Sequence, residues 1–184
     1  MRVLLVSLCS DPLSELEFVR PIEQILGRQG IKIFTKHHTK VNLEDVDSAE
    51  KAIICGSALK DDAFLDSKAF IWLEKLDKPT LGIGSGCQLI MKILGCELFN
   101  KTRIGVFKVK LIKKNKLVDK KYFYAYFLTN RAAKITKPLE TLAKVGAIEC
   151  MFKHESREMY GCLFHPEVMS PEIIINFALK PDGF

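Results

Sequence analysis

The segment Pro79-Thr-Leu-Gly-Ile-Gly-Ser-Gly-Cys-Gln-Leu-Ile90 restricts the fold of this chain more than any other. Thr80–Ile83 is short and apolar and reads as a buried strand. Gly84-Ser85-Gly86 makes a tight turn, and an apolar helix, Cys87–Leu94, follows at once and is closed by Gly95. A strand that turns straight into a helix belongs to a layered α/β structure, in which helices cover a sheet. The residues upstream repeat the pattern. Val3–Leu8 is a continuous apolar run, as expected of a strand covered on both faces. Ser14 with Glu17 forms a capping box for a helix to about Gln29, with the stripe Leu16, Val19, Ile22, Ile25 and Leu26 and with Gly30 at its close. Ile31–Thr35 and Lys51–Cys55 read as the second and third strands, and Phe64–Leu76 as the helix before the fourth.

Links this short between strands and helices call for a doubly wound, mostly parallel central sheet with helices on both faces. After Glu97 the pattern changes to a small antiparallel extension. Short strands are expected at Gly105–Ile112, Tyr122–Leu128, Leu142–Ala147, Ile148–Phe152 and Met159–Phe164, and Ser170-Pro171 caps a last helix, Glu172–Leu179. The chain has 184 residues and no linker or repeat, so residues 1–184 are read as one domain. No apolar stretch approaches the ~20 residues that span a bilayer, and Asp11-Pro12 breaks the apolar start, so a cytoplasmic protein is expected.

Charge is placed unevenly. Residues 1–100 carry 12 basic and 14 acidic side chains, whereas residues 101–184 carry 16 basic and 8 acidic ones. Within 101–121 there are nine basic residues: Lys101, Arg103, Lys108, Lys110, Lys113, Lys114, Lys116, Lys120 and Lys121. Asp119 is the one acid there. Val106, Val109 and Leu111 interleave with Lys108 and Lys110 as in a half-buried strand. The segment is either a solvated hairpin or an exposed docking face for an acidic partner or a phosphate-bearing ligand. Nucleic acid is disfavoured, because few aromatics interleave with these lysines and no nucleic-acid motif is present.

In doubly wound sheets ligands sit beyond the carboxyl ends of the strands, where Cys9–Asp11, Cys55–Ser57, Gly82–Gln88 and His165–Glu167 should converge. A strand, a glycine-rich turn and a helix have the geometry of a nucleophile elbow, whose tip residue stands above the sheet with helix N-terminal amides beside it. The segment resembles the class I (triad) glutamine amidotransferases, whose elbow reads G-x-C-x-G-x-Q. Gly82, Gly86 and Gln88 match it, and Gly161-Cys-Leu-Phe-His-Pro-Glu167 matches that family's strand-end F-H-P-E. The resemblance covers essentially the whole chain, and in size and layout it is most like the stand-alone glutaminase subunit of GMP synthesis. It implies His165 as base, Glu167 as the carboxylate that orients it, and Gly56, Ser85 and Gln88 around the substrate and oxyanion.

The family's cysteine falls on Gly84, which offers no nucleophile. Losing a triad member typically costs several powers of ten in rate. Ile54 and Ser57 depart from the family's S-x-G-P, and Tyr124-Ala-Tyr-Phe-Leu-Thr-Asn130 lacks a histidine common in relatives. The expectation is a glutamine amidotransferase-like binding or regulatory subunit without glutaminase activity and without a cofactor. Its partners would be a synthetase or other protein subunit met through 101–121, and a small ligand such as glutamine. Two alternatives stand beside it. One is an active glutaminase subunit that supplies ammonia to a partner synthetase, for example in GMP synthesis, through Cys87 as substitute nucleophile or through another nucleophile. The other is a thiol-based redox or metal-responsive protein using the six cysteines, with Cys9, Cys55, Cys87 and His165 as the nearest set.

Overall fold

The computed structural model describes residues 1–66, 68–74 and 76–181. Four strands alternate with helices in the first half: β1 (Arg2–Ser7), β2 (Lys32–His37), β3 (Lys51–Ile54) and β4 (Thr80–Ile83). The helices are α1 (Glu15–Phe18), α2 (Arg20–Gly27), α3 (Leu43–Ser48), α4 (Ile71–Glu74) and α5 (Ser85–Ile93). The second half adds β5 (Leu98–Leu111), β6 (Tyr122–Ala133), β7 (Leu139–Val145), β8 (Ile148–His154) and β9 (Met159–Cys162), then α6 (Pro166–Met169) and α7 (Glu172–Leu179).

All nine strands form one sheet in the order β2-β1-β3-β4-β9-β8-β7-β5-β6. β2, β1, β3, β4 and β9 are mutually parallel, and the pairings from β9 through β6 are antiparallel. The antiparallel extension is thus four strands long and continuous with the parallel part. The chain leaves after α5, builds β5–β8 and returns as β9 beside β4, with Gly82 opposite Gly161 and Ile83 opposite Cys162. The far edge then curls back. Phe127 of β6 bridges Phe164, and the two rings meet edge to face at 5.7 Å between centroids. Phe123 packs on Phe164 in the same way at 5.6 Å. This aromatic cluster fills the inside of the curl and seats the chain that follows β9.

Several local expectations change. No capping box forms at Ser14: its side chain caps nothing, and the Asp11 carboxylate instead accepts from the Leu13 amide. The helix is broken into α1 and α2 at Val19, ahead of Pro21, whose ring has no N–H to continue the ladder. Leu16 points into solvent at 61% exposure, and Phe18 takes its place inward. The expected helix Phe64–Leu76 becomes two short 3-10 turns, Ala63–Asp66 and Lys68–Phe70, followed by α4; Ser67 and Lys75 lie outside the described residues. α3 was not expected; Asn42 and Asp45 give it a complete capping box.

The basic segment is also corrected at two places. In β5 the inward residues are Phe107, Val109 and Leu111, so Val106 lies on the outer face at 51% exposure. Lys116 is buried: its ammonium is held by the Glu158 carboxylate and donates to the Lys180 carbonyl at 3.0 Å, over the rings of Tyr160 and Phe177. Arg103 is half-buried over Phe107, and the other seven basic residues are exposed.

Candidate functional site

β4 and β9 end side by side, and the Gly84 amide donates to the Cys162 carbonyl at 2.8 Å. Gly84 itself is the N-cap of α5 with φ 53° and ψ −111°. This left-handed backbone is one that residues with a Cβ rarely adopt. The following turn presses hard on the sheet. A Cβ on Gly86 would lie 2.2 Å from the Ile54 carbonyl oxygen, so only glycine lets α5 start this close to β3. Strand, left-handed tip and helix N-terminus form an elbow, as the glycine spacing implied.

His165 arrives at this tip from β9. Its amide donates to the Tyr126 carbonyl at 2.8 Å, so the curled-back β6 fixes the backbone. Its Nδ1 lies 2.7 Å from Oε1 of Glu167, two residues on in α6. The carboxylate is placed to accept from Nδ1–H, and Nε2 faces the tip. The ring is wedged between two glycines. A Cβ on Gly56 would lie 2.6 Å from its Cε1, and a Cβ on Gly84 would lie 2.8 Å from both Cε1 and Nε2. Phe18 packs against the ring with centroids 5.5 Å apart. His165 is 2% exposed, and its Nε2 and the Oε2 of Glu167 are buried without a protein partner among the described residues.

The remaining candidates are tied up around this pair. Ser57 is buried, and its hydroxyl donates to that of Ser85 at 2.9 Å. Gln88, also buried, donates from Nε2 to Thr129 Oγ1 at 2.9 Å across to β6. Gly56 offers its carbonyl to the Cys9 thiol at 3.8 Å. Cys87 is not brought to the tip. It lies buried in α5 with its Sγ against β9, where a Cβ on Gly161 would come within 2.9 Å of it. Burial, with Cys150 and Cys96 nearby, pushes its thiol well above the usual range. A thiol so held is neutral and a poor nucleophile.

All six cysteines are free and buried. Burial raises Cys9 to about 11 and Cys150 to about 12, and drives Cys55 and Cys162 well up. Among the described residues no group of three His, Cys, Asp or Glu side chains is placed to hold a metal ion. Among those residues, too, no helix is long and apolar enough to cross a membrane.

The sequence reading brought the tip, the imidazole and the carboxylate to one place. It missed Phe18, Tyr126 and Thr129, which position His165 and Gln88. Phe18 carried a signal, since it sits in the helix beside the assigned stripe. Tyr126 acts through its backbone carbonyl, which no side-chain pattern reveals. The arrangement holds an imidazole oriented by a carboxylate, and helix N-terminal amides, at a tip that has no side chain.

Comparison with known proteins agrees with this geometry. The family described as glutamine amidotransferase class-I matches residues 16–178. A glutamine-hydrolyzing GMP synthase subunit of Archaeoglobus fulgidus is 29% identical over 106 residues; these make up 53% of this chain and 57% of that protein, less than two thirds of its length. Among solved structures, a protein assigned as a GMP synthase subunit from Thermoplasma acidophilum superposes with a TM-score of 0.82 at 18% identity, covering 96% of this chain and 92% of that one. A glutamine amidotransferase from Thermotoga maritima gives a TM-score of 0.70 at 15% identity, over 91% of this chain and 76% of that one.

Proposed function

The chain belongs to the class I glutamine amidotransferases, and we propose that within this family it is a single-domain, cytoplasmic subunit without glutaminase activity. Gly84 occupies the nucleophile position, His165 and Glu167 are the base and its orienting carboxylate, and Gly56, Ser85 and Gln88 surround the former substrate and oxyanion region. The protein acts by binding a partner subunit, not by releasing ammonia.

One observation carries this reading: the imidazole of His165 lies closer to the tip than a side chain there would allow without a shift. A Cβ on Gly84 would stand 2.8 Å from two atoms of the ring, so the base has settled into the space a nucleophile would use. The route through a covalent acyl-enzyme needs a nucleophile within hydrogen-bond reach of the base. Ser85 is turned to Ser57, and Cys87 is buried beneath the helix with its thiol held neutral. The burial of His165 and Gln88 supports a closed site in place of an open glutamine pocket.

The test is ammonia release from glutamine by the purified protein, alone and with extract of the native host. The expected result is none above the blank. Release that disappears in Cys87→Ala would overturn the proposal in favour of a working subunit. Release that persists in that variant would also overturn it and point to another nucleophile.

A further inference from the structure

The outer face of β5 and β6 carries a surface that the elbow chemistry does not use. On these strands the even-numbered residues point outward, with Lys110 opposite Tyr122, Lys108 opposite Tyr124 and Val106 opposite Tyr126. Three of the chain's four tyrosines therefore stand in one row. Ile104 is 54% exposed, Val106 51% and Tyr124 59%. α6 lies along the edge of β6, tied by the Ser170 hydroxyl donating to the Tyr124 carbonyl at 3.2 Å. It adds Val168 at 56% exposure and Met169 at 44%. An exposed apolar surface with tyrosine and methionine has the composition of a protein interface.

Its charge is one-sided. Lys108 and Lys110 are this face's basic residues on β5, and neither β5 nor β6 holds an acidic residue. Beside the apolar row runs a groove of about 440 Å³ lined by Lys108, Lys110, Lys144 and Tyr122, without a carboxylate in its wall. Of these, Lys144 pairs with Glu149 at 3.3 Å.

We propose that this face, from Ile104 across Tyr124 to Met169, docks a protein partner that presents an apolar patch rimmed by carboxylates; the inference rests on reading the chain as a partner-bound subunit. Charge selects among occupants. A second copy meeting this face would bring its Lys108 and Lys110 against those of the first, and like charges suppress such pairing. Nucleic acid fits less well. The Tyr122 ring already has the Lys108 ammonium at 4.8 Å and the Lys121 ammonium at 5.9 Å from its centroid, and the apolar row offers nothing to phosphates. The face is also joined to the elbow. The Tyr124 and Tyr126 carbonyls hold Ser170 and His165, so a partner covering β6 sits on the strand that fixes the imidazole.

The test uses the full chain with a photo-crosslinking benzoylphenylalanine at Tyr124 or, as a control on a distant exposed site, at Leu43, each in native-host extract. The protein captured through position 124 is then produced alone and titrated against the unlabelled chain. Expected is a cross-link from 124 and not from 43, to a peptide with Asp or Glu flanking apolar residues. Its affinity should fall about tenfold or more in Val106→Asp and in the double variant Lys108→Glu/Lys110→Glu, and should weaken as salt rises to about 0.3 M. Equal labelling from both positions, or none, overturns the proposal. So does a cross-link to a second copy or to nuclease-sensitive material, or an affinity indifferent to these variants. Unfolding midpoints of the variants should match the parent, because these side chains face solvent. Ammonia release, measured on the same preparations, separates the two ideas: release would break the functional reading and leave docking standing, and lost docking without release would do the reverse.

Discussion

β4 and β9 end next to each other in the same sheet, yet the two ends are in opposite condition. β9 runs into an imidazole and a carboxylate that are buried, paired at 2.7 Å and packed by Phe18. β4 runs into a residue with no side chain at all. The difference separates groups that the fold itself needs from a group that only chemistry would need. Removing Glu167 would strand a buried imidazole nitrogen, and adding a Cβ at Gly86 would break the contact between α5 and β3. The fold asks for no side chain at the tip, and a glycine there adopts φ 53° without strain.

The sharpest way to break this comparison is at Gly86. Gly86→Val should destabilise the protein by about 3 kcal/mol or more, since overpacking against backbone has no side chain to move aside. Denaturant unfolding reads it directly, and an unchanged midpoint would mean that α5 does not depend on the close approach. Next comes the tip. Gly84→Cys should cost about 1–3 kcal/mol from its backbone conformation alone, and more if the imidazole cannot retreat from the new Cβ. If His165 does retreat, the thiol at 84 should alkylate faster than the six native cysteines, all of which are buried. A variant as stable as the parent with an unreactive thiol would mean that the elbow and the base are not coupled.

At the other strand end, Glu167→Ala should lose about 1–3 kcal/mol by leaving the buried Nδ1–H without an acceptor. No change in unfolding free energy would show that the pair is not part of what holds this edge together. The smallest effect lies outside the site. His38 stacks on Phe70 at 5.3 Å, and burial, with His37 beside it, lowers its pKa to about 4. The folded state therefore holds this ring neutral while the unfolded chain protonates it near 6.5. Its contribution is complete above about pH 6.5 and is lost progressively as pH falls toward 4, with about 1–2 kcal/mol gone by about pH 5. His154, also lowered by burial and by Arg157, acts with the same sign. His38→Gln should flatten the acid limb of a stability–pH curve; an unaltered limb would assign it to other groups.

Local pattern carried a good part of this. β4, α7 and the turn at 84–86 follow from apolar runs and glycine spacing within a dozen residues, where the physics is short-range. The helix at 64–76 and the capping box at Ser14 failed because each rested on side-chain pattern without backbone context. Asp11 reached the first amides before Ser14 could, and Pro21 interrupted the ladder. Val106 was misplaced because alternation in β5 alone does not say which parity faces inward; pairing with β6 and packing of Phe107 on Phe127 decide that.

By itself the sequence determined the parallel βα part, the elbow, and the absence of any side chain at its tip. A glycine turn between an apolar strand and an apolar helix has few ways to fold, and a glycine has no side chain in any conformation. Tertiary structure alone decided that four antiparallel strands join the same sheet and that β6 curls back to hold His165 by a backbone bond. It alone set the ring against Gly84 and Gly56 and buried Lys116 while leaving Tyr124 in solvent. These outcomes depend on contacts between residues tens of positions apart, and on backbone carbonyls and ring faces that carry no signature in the order of side chains.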